Sequence, residues 1–585
     1  MCGIIGYCGS DNGIPYLIDG IKNLDYRGYD SFGAAYICGD KLIIKKDTGS
    51  IESVISKHKI DIDESSRGIF HTRWATHGIP SHNNTHPFVD CTFSIAVVHN
   101  GIIENWKTIS SELKGHQFVS ETDSEIIPHL IEEYIKSGLS YYDSTLKVAE
   151  KITGASSFVV LSKNDEDIIA VKNGEPLIFA LGKNGYFVSS DVPSVVKYTN
   201  KVIYLSDGDI IRFNKYRYEI YNFITPEIEH NITEVVLPDN RYEKGEFKHF
   251  MEKEIYEQLS IWKNFQNLNF EDVYYKAILA LKKARRVYIV GAGTSYFAAM
   301  YGAGIFRKAG VDAVAIEGQY IDEYLPILNK DDVFIIISQS GETADIISIL
   351  PYIKNNVKIS IINVDQSQLT REVDILIKIN AGIEKAVAAT KSMSSMLIIL
   401  KSLQLLIKGE VKAIHNDLNL LNTDAYNLAV PAVLKAIDNT AEEIKDQESI
   451  YFAGRGLGYY LALEGSLKMK EVSYIHAEAF DLASIKHGPL ALISDKTFVI
   501  AVLTDDTKDS AINNLEEIKA RGGKIIGIAK KNEDIFNRFI RVPGNRSFDM
   551  VYYLFILQLL SYKVSVKRKI DPDKPRNLAK SVTVK

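Results

Sequence analysis

The first 225 or so residues carry short runs of β-branched and aromatic residues, broken by Gly and Asp turns. Such runs predict strands. Amphipathic segments between the runs predict helices. Strands at both ends with helices between them predict a layered α+β domain over residues 2–225. The predicted strands are Ile4–Tyr7, Gly33–Ile37 and Lys41–Lys45 around Gly39-Asp40, Tyr186–Ser189, and Val202–Leu205 and Ile210–Phe213 around Asp207-Gly208; the predicted helices include Tyr16–Leu24 and Ser124–Ser137.

Beyond residue 270 the pattern changes to β-branched strands that alternate with longer amphipathic segments. This alternation is typical of βα units that build a parallel sheet. The predicted strands are Val287–Val290, Val333–Ile337 and Ile359–Asn363, and the predicted helices are Tyr296–Lys308, Ala344–Lys354 and Ser392–Leu406.

A second series of the same kind begins near residue 450. Gly291–Tyr296 aligns with Gly454–Tyr459, 163 positions later, and Gly302 aligns with Gly465 at the same offset. The chain after residue 270 is therefore predicted to be a tandem duplication. We place the two copies at 271–410 and 411–565, a linker rich in polar residues at 226–270, and a tail at 566–585.

Composition narrows the class of protein. The net charge of −6 leaves no basic field for nucleic acid or an anionic membrane, so neither is expected as a partner. The apolar run Met550–Leu560 is shorter than the ~20 residues that span a bilayer, and it predicts a buried helix. With no signal-peptide pattern, we expect a cytosolic protein. The four cysteines, at 2, 8, 38 and 91, lack CxxC spacing, so neither disulfides nor a zinc site is predicted.

The strongest candidate chemistry lies at Cys2. Once the initiator Met is trimmed, the thiol is a nucleophile and the free α-amino group can take its proton. Four sequence blocks follow. Taken singly, their charges fit a protein surface, Asn100-Gly101 fits a hairpin turn, and the histidines fit loops. The blocks are Tyr26–Ser31, His71–Gly78, His99–Gly101 and Ser120–Asp123.

In this order behind an N-terminal Cys, the blocks resemble the glutamine-hydrolysing domain of N-terminal-nucleophile amidotransferases. The resemblance continues to Lys585, and it narrows to the glutamine–fructose-6-phosphate aminotransferases. It implies a four-layer α/β/β/α glutamine amidotransferase domain, followed by two α/β sugar isomerase (SIS) domains with parallel sheets. It also implies two substrates, L-glutamine and fructose 6-phosphate, a homodimer, and no metal or organic cofactor.

The resemblance assigns roles in glutamine hydrolysis. Cys2 attacks the side-chain amide, while Asn100 and Gly101 donate to the oxyanion. Arg73 holds the α-carboxylate and Asp123 the α-ammonium. Arg27 orders the Cys2 terminus, and the residues that line or close the pocket are Trp74, Thr76 and His77.

A metal site among His71, His77, His82, His86 and His99 is the alternative for this region. His82 and His86 have i,i+4 spacing, which suits a metal only on a helix. Pro80 and Pro87 predict a loop instead, so we predict no metal there.

The segment Ser338–Thr343 follows a predicted strand and precedes a helix. Its hydroxyls, its Gly and the free N–H groups of the helix start predict a phosphate cradle, although a plain helix cap is the simpler reading. The second copy has Asp505 and Asp506 there, which would repel a phosphate. By resemblance to SIS domains, the phosphosugar contacts are Ser295, Ser338, Gln339, Ser340, Thr343, Val387 and Ala388.

Three further segments complete the implied sugar chemistry. Lys468 and Glu471 share one helix face, where a surface ion pair is the alternative. By resemblance, His487 opens the sugar ring, and Lys580 in the tail forms a Schiff base with the ketose. Glu471 then moves a proton from C1 to C2 while Lys468 balances charge.

Ammonia lost to water would be wasted, so the resemblance also implies a closed passage, gated by Trp74 and the tail 571–585. Two other functions stay open. One is an amidotransferase for a different ketose phosphate, or an enzyme that runs toward deamination. The other is a catalytically silent phosphosugar sensor. The chain departs from the family pattern at Leu259, Ala292, Ala389 and Ser484.

Overall fold

The computed structural model of the chain describes residues 2–74, 78–235, 244–267, 272–364, 367–544 and 547–580. These residues form two compact units, one up to residue 235 and one from residue 244 onward. The predicted limits of the three domains, the linker and the tail stay predictions.

The first unit is built from antiparallel strands and five α-helices among its described residues. Its strands are β1 (Gly3–Gly9), β2 (Ser31–Cys38), β3 (Lys41–Thr48), β4 (Arg67–Arg73), β5 (Phe88–Val89), β6 (Ile95–Gly101), β7 (Ser156–Ser162), β8 (Ile168–Lys172), β9 (Ile178–Leu181), β10 (Gly185–Ser189), β11 (Lys201–Tyr204), β12 (Asp209–Phe213), β13 (Tyr218–Asn222) and β14 (Thr233–Glu234). Its helices are α1 (Ile14–Lys22), α2 (Ile51–His58), α3 (Trp106–Glu112), α4 (Ile126–Lys136) and α5 (Tyr141–Lys151).

Two stacked sheets organise this unit. Within the described residues the strand orders are β14-β11-β9-β10-β1-β4-β2-β3 and β13-β12-β8-β7-β6-β5. Side chains alternate along β1: Ile5 packs toward α1, and Ile4 packs toward the other sheet. A third core lies between the second sheet and α4 and α5. The unit thus has helices outside two sheets, which confirms the α/β/β/α layering.

The strands on either side of the two predicted turns pair in one case but not in the other. Gly39-Asp40 joins β2 and β3 in a hairpin, with Cys38 opposite Lys41. Across Asp207-Gly208, however, β11 and β12 lie in different sheets. Ile203 and Ile211 bury their side chains in the same core between the sheets, so these strands pack face to face rather than edge to edge.

The second unit alternates strands and helices. Its strands are β15 (Val287–Gly291), β16 (Ala313–Glu317), β17 (Val333–Ser338), β18 (Val357–Ile362), β19 (Ile375–Lys378), β20 (Ser449–Gly454), β21 (His476–Asp481), β22 (Phe498–Val502), β23 (Lys524–Ala529) and β24 (Arg538–Arg541). Its helices are α6 (Phe250–Asn264), α7 (Val273–Lys283), α8 (Thr294–Arg307), α9 (Ala344–Ile347), α10 (Gln368–Glu372), α11 (Lys391–Ile407), α12 (Val411–Ala425), α13 (Pro431–Ile444), α14 (Leu457–Ser473), α15 (Lys508–Lys519) and α16 (Met550–Lys567).

Two parallel sheets repeat the same strand order in this unit: β16-β15-β17-β18-β19 and β21-β20-β22-β23-β24. The shared order confirms the predicted duplication and the parallel sheets. One large core joins the two copies, and α8, α11, α14 and α16 all contribute to it. Helix α16 is buried along most of its length, as its apolar sequence predicted. Across the described residues, every helix is too short or too polar to cross a bilayer.

Two helices differ from expectation. The helix predicted over Ala344–Lys354 ends at Ile347, because Pro351 lies in a separate 3₁₀ turn over Leu350–Ile353. Within the predicted linker, α6 continues through Leu259 and buries Trp262 in the large core.

Candidate functional site

Cys2 lies where three strands of the first sheet meet. Strand β1 pairs with β4 and β10, and Gly3 stands opposite Thr72, so Cys2 lies beside the end of β4. The Trp74 N–H donates to Cys2 Sγ at 3.2 Å. Burial raises the pKa of the thiol more than this N–H and the Arg73 charge lower it. The thiol is therefore protonated at neutral pH and needs a base to become a nucleophile.

Asn100 and Gly101 end β6 next to Cys2. The Asn100 amide donates to the Cys2 carbonyl oxygen at 3.0 Å and to Ser190 Oγ at 3.1 Å. Gly101 has a φ of +122°, and an added Cβ would lie 1.9 Å from the Ala155 carbonyl oxygen. Only glycine fits this position. The structure thus brings the two predicted oxyanion donors to the nucleophile.

A layer of buried histidines supports Asn100. His71 Nε2 lies 3.2 Å from Asn100 Oδ1 and 3.1 Å from the His99 carbonyl oxygen. Both partners are acceptors, so Nε2 carries the proton. The His86 ring stacks on His71 at 4.1 Å. Burial lowers the pKa of His71 to about 3 and of His99 to about 4, so both rings are neutral. Sequence reasoning treated His71 as a loop residue, whereas it fixes the orientation of the Asn100 amide.

Arg73 and Asp123 are each 3% exposed, so neither is a surface charge. The Arg73 guanidinium donates to the Gly78 carbonyl oxygen at 3.3 Å. Burial lowers its pKa, and the nearby Cys2, Asp30 and Asp123 raise it in part. Asp123 accepts the Ile103 N–H at 2.7 Å. A buried cation thus lies close to the thiol and to a buried anion, the pair of charges that suits recognition of an amino acid.

Of the remaining residues predicted at the glutamine site, the structure describes Arg27 and Trp74. Buried Arg27 bonds Asp191 at 3.0 Å, and Asp191 directly follows Ser190, the second acceptor of the Asn100 amide. Half-buried Trp74 packs edge-on against Tyr29 at 5.7 Å. Thr76 and His77 lie outside the described residues.

In the second unit, the predicted phosphate loop lies at the carboxyl ends of β15 and β17. These neighbouring strands are the first and third of their copy, so the chain reverses its winding between them. Open parallel sheets bind ligands at such a switch point. In the loop, Ser338 Oγ accepts the Gly341 N–H at 2.9 Å and Ser340 Oγ accepts the Glu342 N–H at 3.2 Å. Gly341 has a φ of +70°.

The other predicted sugar contacts lie around this loop and on a second segment. Ser295 is in the first turn of α8, while Gln339 and Thr343 belong to the loop itself. Val387 is half-buried and Ala388 is buried, in the segment that precedes α11.

Lys580 is fixed to that same segment. Its Nζ lies 2.7 Å from Glu384 Oε2 and donates to the Ala386 carbonyl oxygen at 2.8 Å. The Glu384 side chain is fully buried and also accepts the Thr390 and Ser392 N–H groups. Burial raises the pKa of Glu384, but Lys580 and these donors outweigh it and bring the value to about 2. Sequence reasoning did not single out Glu384.

Lys468 and Glu471 form a second buried cluster on α14. Lys468 Nζ lies 2.6 Å from Glu471 Oε2, 3.5 Å from Glu464 Oε1 and 3.1 Å from Thr294 Oγ1. The Lys468 side chain is 1% exposed, so this is not a surface ion pair. Burial raises the pKa of Glu464 to about 7. Burial also lowers the pKa of Lys468, but Glu464, Glu471 and Glu384 raise it above its ordinary value. Because Glu384 belongs to the Lys580 cluster, the two clusters are neighbours.

His487 is the exception among the predicted sugar-site residues. It is exposed, at the end of a 3₁₀ turn over Ile485–His487. Within the part of the chain that the structure describes, neither a hydrogen bond nor an ion pair joins its ring to Glu471 or Lys580.

Comparison with known proteins agrees with this division into two units. The SIS domain family matches residues 280–406 and 443–567, and a glutamine amidotransferase domain family matches residues 71–197. A glutamine–fructose-6-phosphate aminotransferase (isomerizing) from Thermococcus kodakarensis is 37% identical over 602 residues and all of both chains. The same enzyme from Pyrococcus horikoshii is 38% identical over 603 residues, again over all of both chains. The chain belongs to the glutamine–fructose-6-phosphate aminotransferase family.

A solved structure supports the fold of the aminotransferase's second unit. The C-terminal domain of glucosamine-fructose-6-phosphate aminotransferase from Francisella tularensis covers 57% of this chain and 99% of its own, at 33% identity and a TM-score of 0.50. The structure places two of the positions that depart from the family pattern next to predicted site residues. Ala292 precedes the first turn of α8, and Ser484 is exposed before the His487 turn.

Proposed function

We propose that this chain transfers the amide nitrogen of L-glutamine to fructose 6-phosphate with isomerisation, giving glucosamine 6-phosphate and L-glutamate. The observation that carries the proposal is the buried Lys580–Glu384 pair at 2.7 Å, next to the Lys468–Glu471 cluster and in the unit that holds the phosphate loop. An amine and a carboxylate of this kind are what an imine-based isomerisation needs.

The glutamine half-reaction follows from the first unit. Loss of Met1 frees the Cys2 α-amino group, which takes the thiol proton as Sγ attacks the amide carbon. The Asn100 amide and the Gly101 N–H stabilise the oxyanion. Ammonia leaves with that proton, and water then hydrolyses the thioester to glutamate. Arg73 and Asp123 orient the substrate through its α-carboxylate and α-ammonium.

The sugar half-reaction follows from the second unit. The phosphate binds the Ser338–Thr343 loop, and Lys580, after losing a proton, attacks C2 of the open ketose with loss of water. Ammonia displaces Lys580 from the imine. Glu471 removes a proton from C1 and returns one to C2, which leaves an aldehyde at C1 and an amine at C2. Lys468 offsets the negative charge that develops meanwhile.

We also propose a homodimer in the cytoplasm. His487 is exposed while the other proposed sugar-site side chains are buried or half-buried. A second copy that places this turn over the sugar site would complete it with a ring-opening acid. A reduced nucleophilic thiol fits the reducing cytoplasm.

Borohydride trapping tests the central assignment. Incubation with fructose 6-phosphate and borohydride should label Lys580, as peptide mass spectrometry would show. Lys580→Ala should lose the label and glucosamine 6-phosphate formation, yet still release glutamate from glutamine. A label on another lysine, or amino-sugar formation by Lys580→Ala, would contradict the mechanism. Other ketose phosphates, tested in parallel, define the substrate.

Mixing two inactive variants tests the dimer. If His487 acts across an interface, hybrids of His487→Ala and Glu471→Gln contain one intact site and regain synthesis. Mixtures that stay inactive, although mass photometry shows hybrids, would place His487 in its own chain's site.

A further inference from the structure

Four side chains that bind metals meet in the first unit, and none of them has a role in the proposed reaction. Cys91 lies in the turn between β5 and β6, His116 lies in the loop after α3, and His129 and Glu132 lie one turn apart on α4. Three separate segments of the chain thus converge on one point.

Five of the six distances between their ligand atoms lie between 3.2 and 3.8 Å, close to those of a tetrahedral site, and all of the ligand atoms lie within 4.8 Å of one another. His116 Nδ1 and His129 Nδ1 are 3.2 Å apart, and Cys91 Sγ lies 3.6 Å and 3.5 Å from them. Glu132 Oε2 lies 3.4 Å from His116 Nδ1 and 3.8 Å from His129 Nδ1. Zinc bonds of about 2.3 Å to sulfur and about 2.0–2.2 Å to nitrogen or oxygen place ligand atoms about 3.3–3.6 Å apart. We propose that Cys91, His116, His129 and Glu132 bind one Zn²⁺ ion.

The surrounding groups orient these ligands. Both histidines turn Nδ1 inward and Nε2 toward a carboxylate: His116 Nε2 is 3.2 Å from Glu133, and His129 Nε2 is 3.8 Å from Glu125. The second oxygen of Glu132 lies 2.7 Å from Lys136 Nζ. Metal-ligating histidines commonly have such outer carboxylates, which fix the tautomer and the ring orientation.

Charge and access favour the same ion. Sulfur, two imidazoles and one carboxylate are ligands for zinc rather than for calcium or magnesium, which prefer oxygen alone. If each Nε2 is protonated toward its outer carboxylate, both Nδ1 atoms turn a lone pair toward the sulfur, and a cation at the centre would bind all three atoms. The side chains of His116 and His129 are 3% and 2% exposed, whereas Cys91 is exposed and gives the ion an entry path.

The ion would be structural. Four protein ligands leave no open coordination position for a substrate. Helix α4 directly follows the 3₁₀ turn Asp123–Glu125, and Glu125 accepts the N–H groups of Val119 and Ser120 at 2.9 Å and 2.8 Å. Binding at His129 and Glu132 would therefore hold the segment that carries Asp123.

Metal analysis and cobalt substitution test the site. Full-length protein purified without chelators should contain about one zinc per chain. After chelation removes the zinc, added Co²⁺ should produce a thiolate charge-transfer band and the intense visible bands of tetrahedral cobalt. Cys91→Ser should lose the charge-transfer band and bind Co²⁺ at least about tenfold more weakly. Two controls should keep the band and the wild-type affinity: Cys38→Ser, which changes another exposed cysteine, and Cys2→Ala.

Thermal unfolding gives a second readout. Zn²⁺ should raise the midpoint of the chelated wild-type protein and of Cys38→Ser, and it should leave His129→Gln unchanged, because binding to the folded state alone stabilises it. An octahedral cobalt spectrum without the charge-transfer band, equal binding by Cys91→Ser, or protein free of metal even after zinc addition would overturn the proposal.

Discussion

The two SIS copies share a strand order but carry different side chains at the positions that we propose for catalysis. Gly293 and Gly456 begin α8 and α14 with φ and ψ of +53° and −123°, and of +58° and −124°. The side chains that follow have diverged. Where α14 carries Glu464, Lys468 and Glu471, the aligned residues of the first copy are Tyr301 and Ile305 in α8 and Lys308 directly after it. The turn is what the fold requires, and the residues after it were free to specialise.

The loops after β17 and β22 show the same division. The first copy presents Ser338–Thr343, and the second presents Asp505 and Asp506. These carboxylates are paired with lysines: Asp505 lies 2.6 Å from Lys530, and Asp506 lies 2.8 Å from Lys308 of the first copy. The acidic loop thus serves as a contact between the copies, whereas we propose that the hydroxyl loop of the first copy binds phosphate.

Removal of the proposed base should have the largest effect. We expect Glu471→Gln to lower kcat for amino-sugar formation by about 10²–10⁴-fold, since the proton transfer loses its base. Glutaminase activity without sugar should persist. Lys308→Gln, at the aligned position of the first copy, is the control and should keep kcat. Equal loss in both variants would mean that the copies do not divide the chemistry as proposed.

An acidic residue in the hydroxyl loop of the first copy should have the second-largest effect. Ser340→Asp should raise KM for fructose 6-phosphate at least about 100-fold, because like charges ~4 Å apart repel by up to ~4 kcal/mol. Steady-state kinetics would show this. Asp505→Ser, the reverse change in the second copy, should leave KM within about twofold, as expected for an exposed carboxylate. An unchanged KM in Ser340→Asp would remove the phosphate from this loop.

Loss of the Thr294 hydroxyl, which joins the two copies, should have a smaller effect on kcat. Thr294 Oγ1 donates to Glu464 Oε1 at 3.3 Å and accepts from Lys468 Nζ at 3.1 Å. Thr294→Val keeps the shape and should reduce kcat roughly tenfold, the value of one hydrogen bond to a charged group. Thr294→Ser should retain kcat. If both variants behave as wild type, Lys468 does not need this contact.

The smallest effect concerns stability. Burial, and then the charge of Glu384, raise the pKa of Glu254 to about 8. The folded state keeps this proton between about pH 4.5 and 8 while the unfolded state loses it, so stability falls as pH rises through that window. Glu254→Gln cannot ionise and should melt a few °C higher at pH 8. The melting temperature of the exposed control Glu372→Gln should follow the wild-type pH curve. The raised pKa of Glu464 leaves a residual slope in both variants.

The sequence located most of the fold because buried strands have strong local patterns. Strands β1, β2, β15 and β17 lie within two residues of their predicted ends. Failures came where a distant contact decided the outcome. Ile203 and Ile211 face each other across two sheets, and no local signal at Asp207-Gly208 reports that.

The candidate sites divide in the same way. Cys2, Asn100, Arg73 and Asp123 could be named because they stand in recognisable blocks, and the structure brings them together. Glu384 could not, because its partner Lys580 is 196 residues away. Cys91, likewise, is 38 residues from His129, so no spacing rule for metal ligands applies.

Helix α16 has a consequence for synthesis of the chain. It supplies Gln558, which accepts from Gln258 of α6 at 2.7 Å and donates to the Thr390 carbonyl oxygen at 3.1 Å. During translation at ~5–20 residues per second, α6 leaves the ribosome tens of seconds before α16 does. For that interval the nascent first copy exposes an apolar face, so chaperones that shield nascent chains should bind there until residue 567 has emerged.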